Sequence, residues 1–421
     1  MSPRRTILVL TRHTPLPWED GAGAYLFDIL DYLHSRGFEI HVAWLAPHDH
    51  LRWQGVWTLP ADFARVVHLH APGAIRVGRR LVFPAVYWQP LQARTLHLVK
   101  RCFAALGIRV GRPRPTADRP PPTVHRPPTA AWMAEPSAAE HAYAARLLAA
   151  LRPTAVIANY AWMTPLFTAA PERLSFRRVC LHPDVAWKRA AHQSSLTRQT
   201  PAITPDAEAA LLRAANTVVS ISEADLRDHR LLAPETDLVL APKAVHAAAL
   251  PPAREPRLLF VGSGNSFNAA GLAWFLAEVW PLIRSARPDA SLDVCGTVAT
   301  AVAARPEGVR FHGPVADLDV FYRTASIVVV PLLHATGLNI KLVDAAARGR
   351  AIVTTPATLD GAPFLVGTVA SAAAPAEFAA ITLHLLGDSA ARDALAERSL
   401  AAVRERLAPE ACYATLAAAL A

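Results

Sequence analysis

The stretch IVVVPLLHATGLNIKLVDAAARGRAIVTT (Ile327–Thr355) decides how this chain reads. An apolar run ends at Pro331, and a polar turn containing a glycine follows. A helical pattern then runs from Gly337 to Gly349, and a second apolar run, AIVTT, closes the unit. Short unbroken apolar runs mark strands buried on both faces, as in parallel sheets covered by helices. Thr336 is placed to cap the helix, and Gly337 lets the backbone approach a ligand closely. Free N–H groups and the positive dipole end at that helix start suit a diphosphate. Lys341 adds a point charge. Asp344, one turn further on, is placed to accept ribose hydroxyls. The same spacing also fits a Lys341–Asp344 surface pair of small energetic weight.

The same plan recurs outward from this stretch. TILVL (Thr6–Leu10) and RLLFV (Arg257–Val261) each run into a glycine-containing turn and then into helical periodicity. Further apolar runs lie at Ile40–Leu45, Ala155–Ala158, Arg178–His182, Val218–Ile221 and Leu238–Leu240. Others lie at Leu292–Cys295, Val309–His312 and the two runs of the opening stretch. Strands alternating with helices predict an α/β fold with two doubly wound parallel sheets. A chain of 421 residues is long enough for two cores. The Pro-rich LPPAREP (Leu250–Pro256) is the natural linker, dividing residues 1–250 from 256–395. Residues 396–421 continue a helical pattern that Pro409 should break.

Composition narrows the function class. A hydrophobic content of 52% excludes a disordered chain, and no window is long and apolar enough to span a membrane. Cys102, Cys180, Cys295 and Cys412 are scattered without metal-ligand spacing and read as buried thiols, which points to the cytoplasm. The net charge of +9 is local: residues 71–130 hold eleven basic side chains against Asp118 alone, so the remainder nets −1. A Pro-rich insertion spans Arg112–Pro136, and the basic segment as a whole covers about 71–136. Just before the insertion, Leu91–Ile108 has the spacing of a basic amphipathic helix. It fits either a solvated helix on its own domain or a surface meeting anionic lipid headgroups. No nucleic-acid-binding module is recognisable there.

Three more constellations bear on chemistry. FVGSGNSFNAAGLAWF (Phe260–Phe275) runs a strand into a glycine turn, with Asn268 placed to cap a helix whose stripe is Leu272, Phe275, Leu276, Val279 and Ile283. The second strand, LDVCG, ends without the acid that an NAD site wants, leaving a phosphate or nucleotide turn. Gly21 and Gly23 follow the first strand, where they admit a substrate or simply allow tight strand–helix packing. His182 and Asp184 in CLHPDVAWKR stand at a strand's carboxyl end, where open α/β sheets bind ligands.

In this order, the glycine turns, the strand-end histidine, SISEADL (Ser220–Leu226), LAPKAV (Leu240–Val245), FVGSGNSFN, FHGPVADLDVFYRTASIVVVPL (Phe311–Leu332) and the Lys341 helix resemble glycosyltransferase family 4, glycosyl transferases group 1. The resemblance covers most of the chain and is weakest over residues 46–150. It implies a GT-B fold, two Rossmann-like domains facing across a cleft, with the nucleotide-sugar donor in the C-terminal one and a hydroxyl acceptor in the N-terminal one. It further implies transfer with retention of configuration and no bound metal or other cofactor. By position, Gly262, Ser263, Asn265, Thr336, Gly337, Leu338, Asn339, Lys341 and Asp344 hold the donor. His182 and Asp184 lie near the transferred sugar, and Gly21 and Gly23 on the acceptor side. The family commonly has two glutamates separated by seven intervening residues. Here Thr336 and Asp344 stand in those places, and the turn GSGNSF lacks the usual basic residue. Residues 396–421 would pack back on the N-terminal domain. A sugar-nucleotide epimerase, or a non-catalytic scaffold meeting a partner or membrane through the basic segment, are the competing readings.

Overall fold

The computed structural model describes residues 5–17, 21–46, 55–83, 133–197, 203–335 and 337–421. The first strands are β1 (Thr6–Thr11), β2 (Glu39–Trp44), β3 (Val56–Thr58), β4 (Val67–His70), β5 (Ile75–Val77) and β6 (Arg80–Val82). Then come β7 (Ala155–Asn159), β8 (Arg177–Leu181), β9 (Thr217–Ser220), β10 (Asp237–Leu240), β11 (Arg257–Val261) and β12 (Ser291–Cys295). The last are β13 (Val309–Gly313), β14 (Ile327–Val330), β15 (Ala351–Thr354) and β16 (Ala370–Ser371). Each apolar run named above is a strand to within a residue at either end.

Those runs assemble into two sheets. One has seven strands in the order β10-β9-β8-β7-β1-β2-β4, and the other six in the order β13-β12-β11-β14-β15-β16. The second is parallel throughout, with its strand order reversing between β11 and β14. The first reverses between β1 and β7, again through parallel pairs. By contacts the chain divides into two compact units, residues 1–180 and 181–421.

Helix faces follow the sequence pattern. Leu26, Ile29, Leu30 and Leu33 of helix Gly21–Ser35 are buried. Leu272, Phe275, Leu276, Val279 and Ile283 enter a core with Phe260, Trp280 and Phe378. This second helix carries a wide π-type turn at Phe275–Val279. Pro281, two residues later, has no N–H to return to the preceding turn, and such gaps widen a helical ladder locally. Pro409 breaks the last helical pattern: helices Ser389–Arg406 and Pro409–Leu420 flank it. The second of these meets β10, and its Tyr413 hydroxyl accepts a hydrogen bond from the Ala244 N–H at 2.9 Å.

The linker stretch has no helix or strand, yet it is held. Arg350 donates to the Pro251 carbonyl at 2.6 Å, Arg392 to Ala253 at 3.3 Å, and the Leu250 N–H to Arg348 at 3.0 Å. Strands β3 to β6 and β16 are absent from the sequence reading. They are two to four residues long, and β4 (VHLH) alternates histidine with apolar residues. The predicted basic helix at 91–108 and most of the Pro-rich insertion lie outside the described residues, as does Cys102. Cys180, Cys295 and Cys412 are buried free thiols, as their apolar settings suggested.

Candidate functional site

Ligands of open α/β sheets gather at the carboxyl ends of strands, where the strand order reverses. In the six-stranded sheet that place lies between β11 and β14. β11 delivers Gly262 to Asn265, and β14 delivers the turn leading to Lys341.

The two turns are wired together. Asn265 caps the helix Ser266–Trp274 by accepting the Asn268 N–H at 2.9 Å. Asn268, expected to be the cap, instead sits one turn inside the helix. Its Nδ2 donates to the Ser263 carbonyl at 2.8 Å, and its Oδ1 accepts from Lys341 Nζ at 2.9 Å. Lys341 Nζ also donates to Asn339 Oδ1 at 3.2 Å. The ammonium is thus oriented by two neutral amide oxygens. Among the described residues no carboxylate comes within ion-pair distance of it. Burial pushes its pKa down to about 8. An oriented cation without a counter-ion is what an anionic ligand needs. Asn268→Ala removes one of its two acceptors and is expected to weaken anion binding roughly fivefold, about 1 kcal/mol, as read by calorimetry.

The helix itself is shorter than its sequence pattern. It runs Ile340–Ala347 with Asn339 at the N-cap, three residues beyond the predicted cap at Thr336. Thr336 lies outside the described residues. Gly337 takes a left-handed φ of +64°, which forces the turn four residues before Lys341. Leu338 and Asn339 are buried. Asp344 is not paired with Lys341. It is about one-third exposed, 3.8 Å from Arg348 Nη1, and Arg348 also bonds Asp319 at 2.7 Å.

Gly337 is clamped from two sides. A Cβ on Gly361 would overlap the Gly337 carbonyl oxygen. A Cβ on Gly337 would stand 3.2 Å from the Pro183 carbonyl, 3.3 Å from Asp184 Oδ1 and 3.4 Å from Asp225 Oδ2. The Gly337 loop therefore meets the His182–Asp184 turn that the sequence singled out about 150 residues earlier. Gly361→Ala should push this loop out of place, and a displacement near 1 Å costs about a hundredfold in turnover. Steady-state kinetics at unchanged melting temperature would show it.

His182 is completely buried, and its Nε2 bonds Glu208 Oε1 at 2.7 Å. The Glu208 carboxylate also accepts the Ala186 and Trp187 N–H groups at 2.8 and 2.7 Å, so it caps the helix Ala186–Thr197. His182 thus supports the turn from below, while Asp184 pairs with Arg189. His182, Glu208 and His229 are the one group of metal-ligand types gathered among the described residues. Both Glu208 oxygens are already committed, so the cluster closes on itself as a brace. His229 stays neutral, with burial first and then His182 driving its pKa down to about 3.

Asp225 is the residue that sequence reasoning missed, although SISEADL was noticed. It is buried, bonded by Ser222 Oγ and close to Asp184. Burial lifts its pKa to about 7, with Asp184 and Asp228 adding repulsion against the Ser222 and Val185 hydrogen bonds. The folded protein therefore holds this proton between pH 4 and 7, where the unfolded chain releases it. The resulting stabilisation is complete below pH 4 and is lost as pH rises through 7. Asp225→Asn should be more stable than wild type by roughly 2 kcal/mol at pH 8 and equal to it near pH 4, as read by urea unfolding.

On the first sheet, Asn159 Nδ2 bonds Thr11 Oγ1 at 3.0 Å across the reversal between β1 and β7. Next to it Tyr160 takes a left-handed φ of +74° and stacks on Trp162 at 4.6 Å. Such strain in a non-glycine residue concentrates at ligand sites. Gly21 opens its helix with free space around it, whereas a Cβ on Gly23 would press to 2.5 Å from the Leu16 carbonyl. Gly23 is thus required by packing.

Residues 255–388 match the family Glycosyl transferases group 1. This segment matches a glycosyl transferases group 1 domain. The enzyme has the GT-B fold of sucrose-phosphate synthase from Thermosynechococcus elongatus, at 15% identity and a TM-score of 0.64 over 99% of this chain and 98% of that one. TarM of S. aureus superposes with a TM-score of 0.68 at 10% identity, over 99% and 98% of the two chains. HepE of Anabaena, solved with UDP-glucose, gives 0.63 at 12% identity over 99% of each. No curated protein matches the sequence. In this glycosyltransferase the family match begins at the linker and contains the Asn268–Lys341 wiring and Gly361, while the His182 brace and Asp225 lie ahead of it.

Proposed function

We propose that the protein takes a sugar from a nucleoside-diphosphate sugar bound at Lys341 and passes it to a hydroxyl acceptor with retention of configuration. Residues 256–395 then form the donor domain. The observation that carries this reading is the Lys341 ammonium at the reversal of strand order, oriented by Asn268 and Asn339 and with no carboxylate among the described residues in ion-pair range. Lys341 and the amides at the start of helix Ile340–Ala347 face the diphosphate. Gly262 and Ser263 line the other wall, and Asp344 takes the ribose. The leaving diphosphate then accepts the acceptor's proton, so the protein's share is positioning and charge stabilisation. Structural relatives bear on the substrates: HepE is known with UDP and glucose, and TarM with UDP and a GlcNAc-glycerol. WaaG, another, acts in lipopolysaccharide biosynthesis. An acceptor hydroxyl on a glycan, a lipid-linked sugar or a glycosylated metabolite fits that company.

No helix among the described residues is long and apolar enough to cross a membrane. Three buried free thiols favour a reducing compartment. We place the enzyme in the cytoplasm, meeting the membrane at its periphery through its basic segment. Calorimetry with UDP, GDP and their sugars tests the donor reading. Binding lost in Lys341→Ala supports it, and no heat with any nucleotide sinks it. The anomeric proton coupling of the product decides retention.

A further inference from the structure

The third sheet is small and antiparallel, in the order β3-β6-β5. Its register pairs Val56 with Val82 and Val82 with Ile75, and in the next row on that face Thr58 with Arg80 and Arg80 with Val77. Side chains alternate across a sheet, so Trp57, Leu81 and Arg76 lie on the other face. Leu81 is buried there, Trp57 meets Trp44 edge-on at 6.4 Å, and Arg76 donates to the Val67 carbonyl. The first face looks outward. Val56 is 37% exposed, Ile75 58% and Val77 62%. Three of the eight exposed large apolar side chains among the described residues therefore fall on these nine strand residues. Exposed Arg79 and Arg80 rim the patch, and no acid lies in residues 71–83.

We propose that this face docks on an anionic lipid surface, its aliphatic side chains entering the interface while Arg79 and Arg80 meet headgroup phosphates. The argument is charge complementarity. Residues 84–130, which follow directly, add eight basic side chains against Asp118 alone. The same face of a second copy, or the chain's own following segment, would bring like charge against like. The face also offers no aromatic side chain to stack a nucleic-acid base. The inference rests on the peripheral-membrane part of the proposed function and stands independently of sugar transfer.

Co-sedimentation with phosphatidylcholine vesicles, with and without phosphatidylglycerol, tests it on the full chain. Wild type should bind the anionic vesicles and leave the neutral ones. The doubles Ile75→Ser/Val77→Ser and Arg79→Glu/Arg80→Glu should each lower partitioning roughly tenfold, with melting temperature and nucleotide binding unchanged. Equal recovery on both vesicle types, or wild-type binding by the serine double, overturns the proposal. So does a lower melting temperature in the serine double, which would mean the face is covered by this chain. A dimer in light scattering that the serine double dissociates overturns it too. If nucleotide binding is absent while vesicle binding persists, the donor reading alone fails.

Discussion

Glu208→Ala is expected to cost about 4 kcal/mol of folding stability, as read by urea unfolding. Three donors converge on this one side chain: His182 Nε2 and the N–H groups of Ala186 and Trp187. His182 and Glu208 are wholly buried, so water cannot replace the lost acceptor. Removing one member of such a cluster costs the full desolvation of the groups left behind. Turnover should fall with stability, because the same brace carries the turn to Asp184, which lies against Gly337. Glu208→Gln keeps the shape and one acceptor oxygen but points an NH2 at a donor. Its expected loss is about half that of alanine. A Glu208→Ala protein that unfolds like wild type would mean that the turn is held by other contacts.

Lys341→Ala should weaken nucleotide-diphosphate binding about a hundredfold, roughly 3 kcal/mol, without a comparable loss of stability. The side chain supplies the charge beside the Gly337 turn, and its two partners are neutral amides that lose little when it goes. The wild-type affinity should also depend on pH. Burial holds the free ammonium's pKa near 8, and a bound diphosphate raises it again. Affinity is then full below pH 8 and falls by up to tenfold per unit above it, where binding must first recapture a proton. Lys341→Ala should be flat over that range. Calorimetry between pH 7 and 9.5 in matched buffers separates the two curves, and a flat wild-type curve would remove Lys341 from the anion site.

Much of this was legible in the residues. The apolar runs at Leu258–Phe260 and Ile327–Val330 read as buried strands because nothing polar interrupts them, and both proved central in their sheet. Lys341 was legible because a lysine four residues after a turn glycine is local information. The short edge strand β4 was not, since its histidines break the apolar signal and its partner β2 lies 27 residues back, at Val67↔Ile40. The helix start was misplaced from Asn339 to Thr336, because a cap is decided by where Gly337 turns the backbone.

What the sequence by itself determined is therefore the alternation of strand and helix, the two-sheet plan and the charged residue at the start of the helix after β14. Those follow from periodicity and from the backbone needs of single residues, which act over a few positions. Only the tertiary structure decided what surrounds that lysine: Asn268 as its acceptor from 73 residues away, Gly361 against Gly337, Glu208 beneath His182, and Asp225 beside Asp184. These pairings depend on the order of strands in the sheet, and strand order is set by packing the whole core, which no local stretch of sequence encodes.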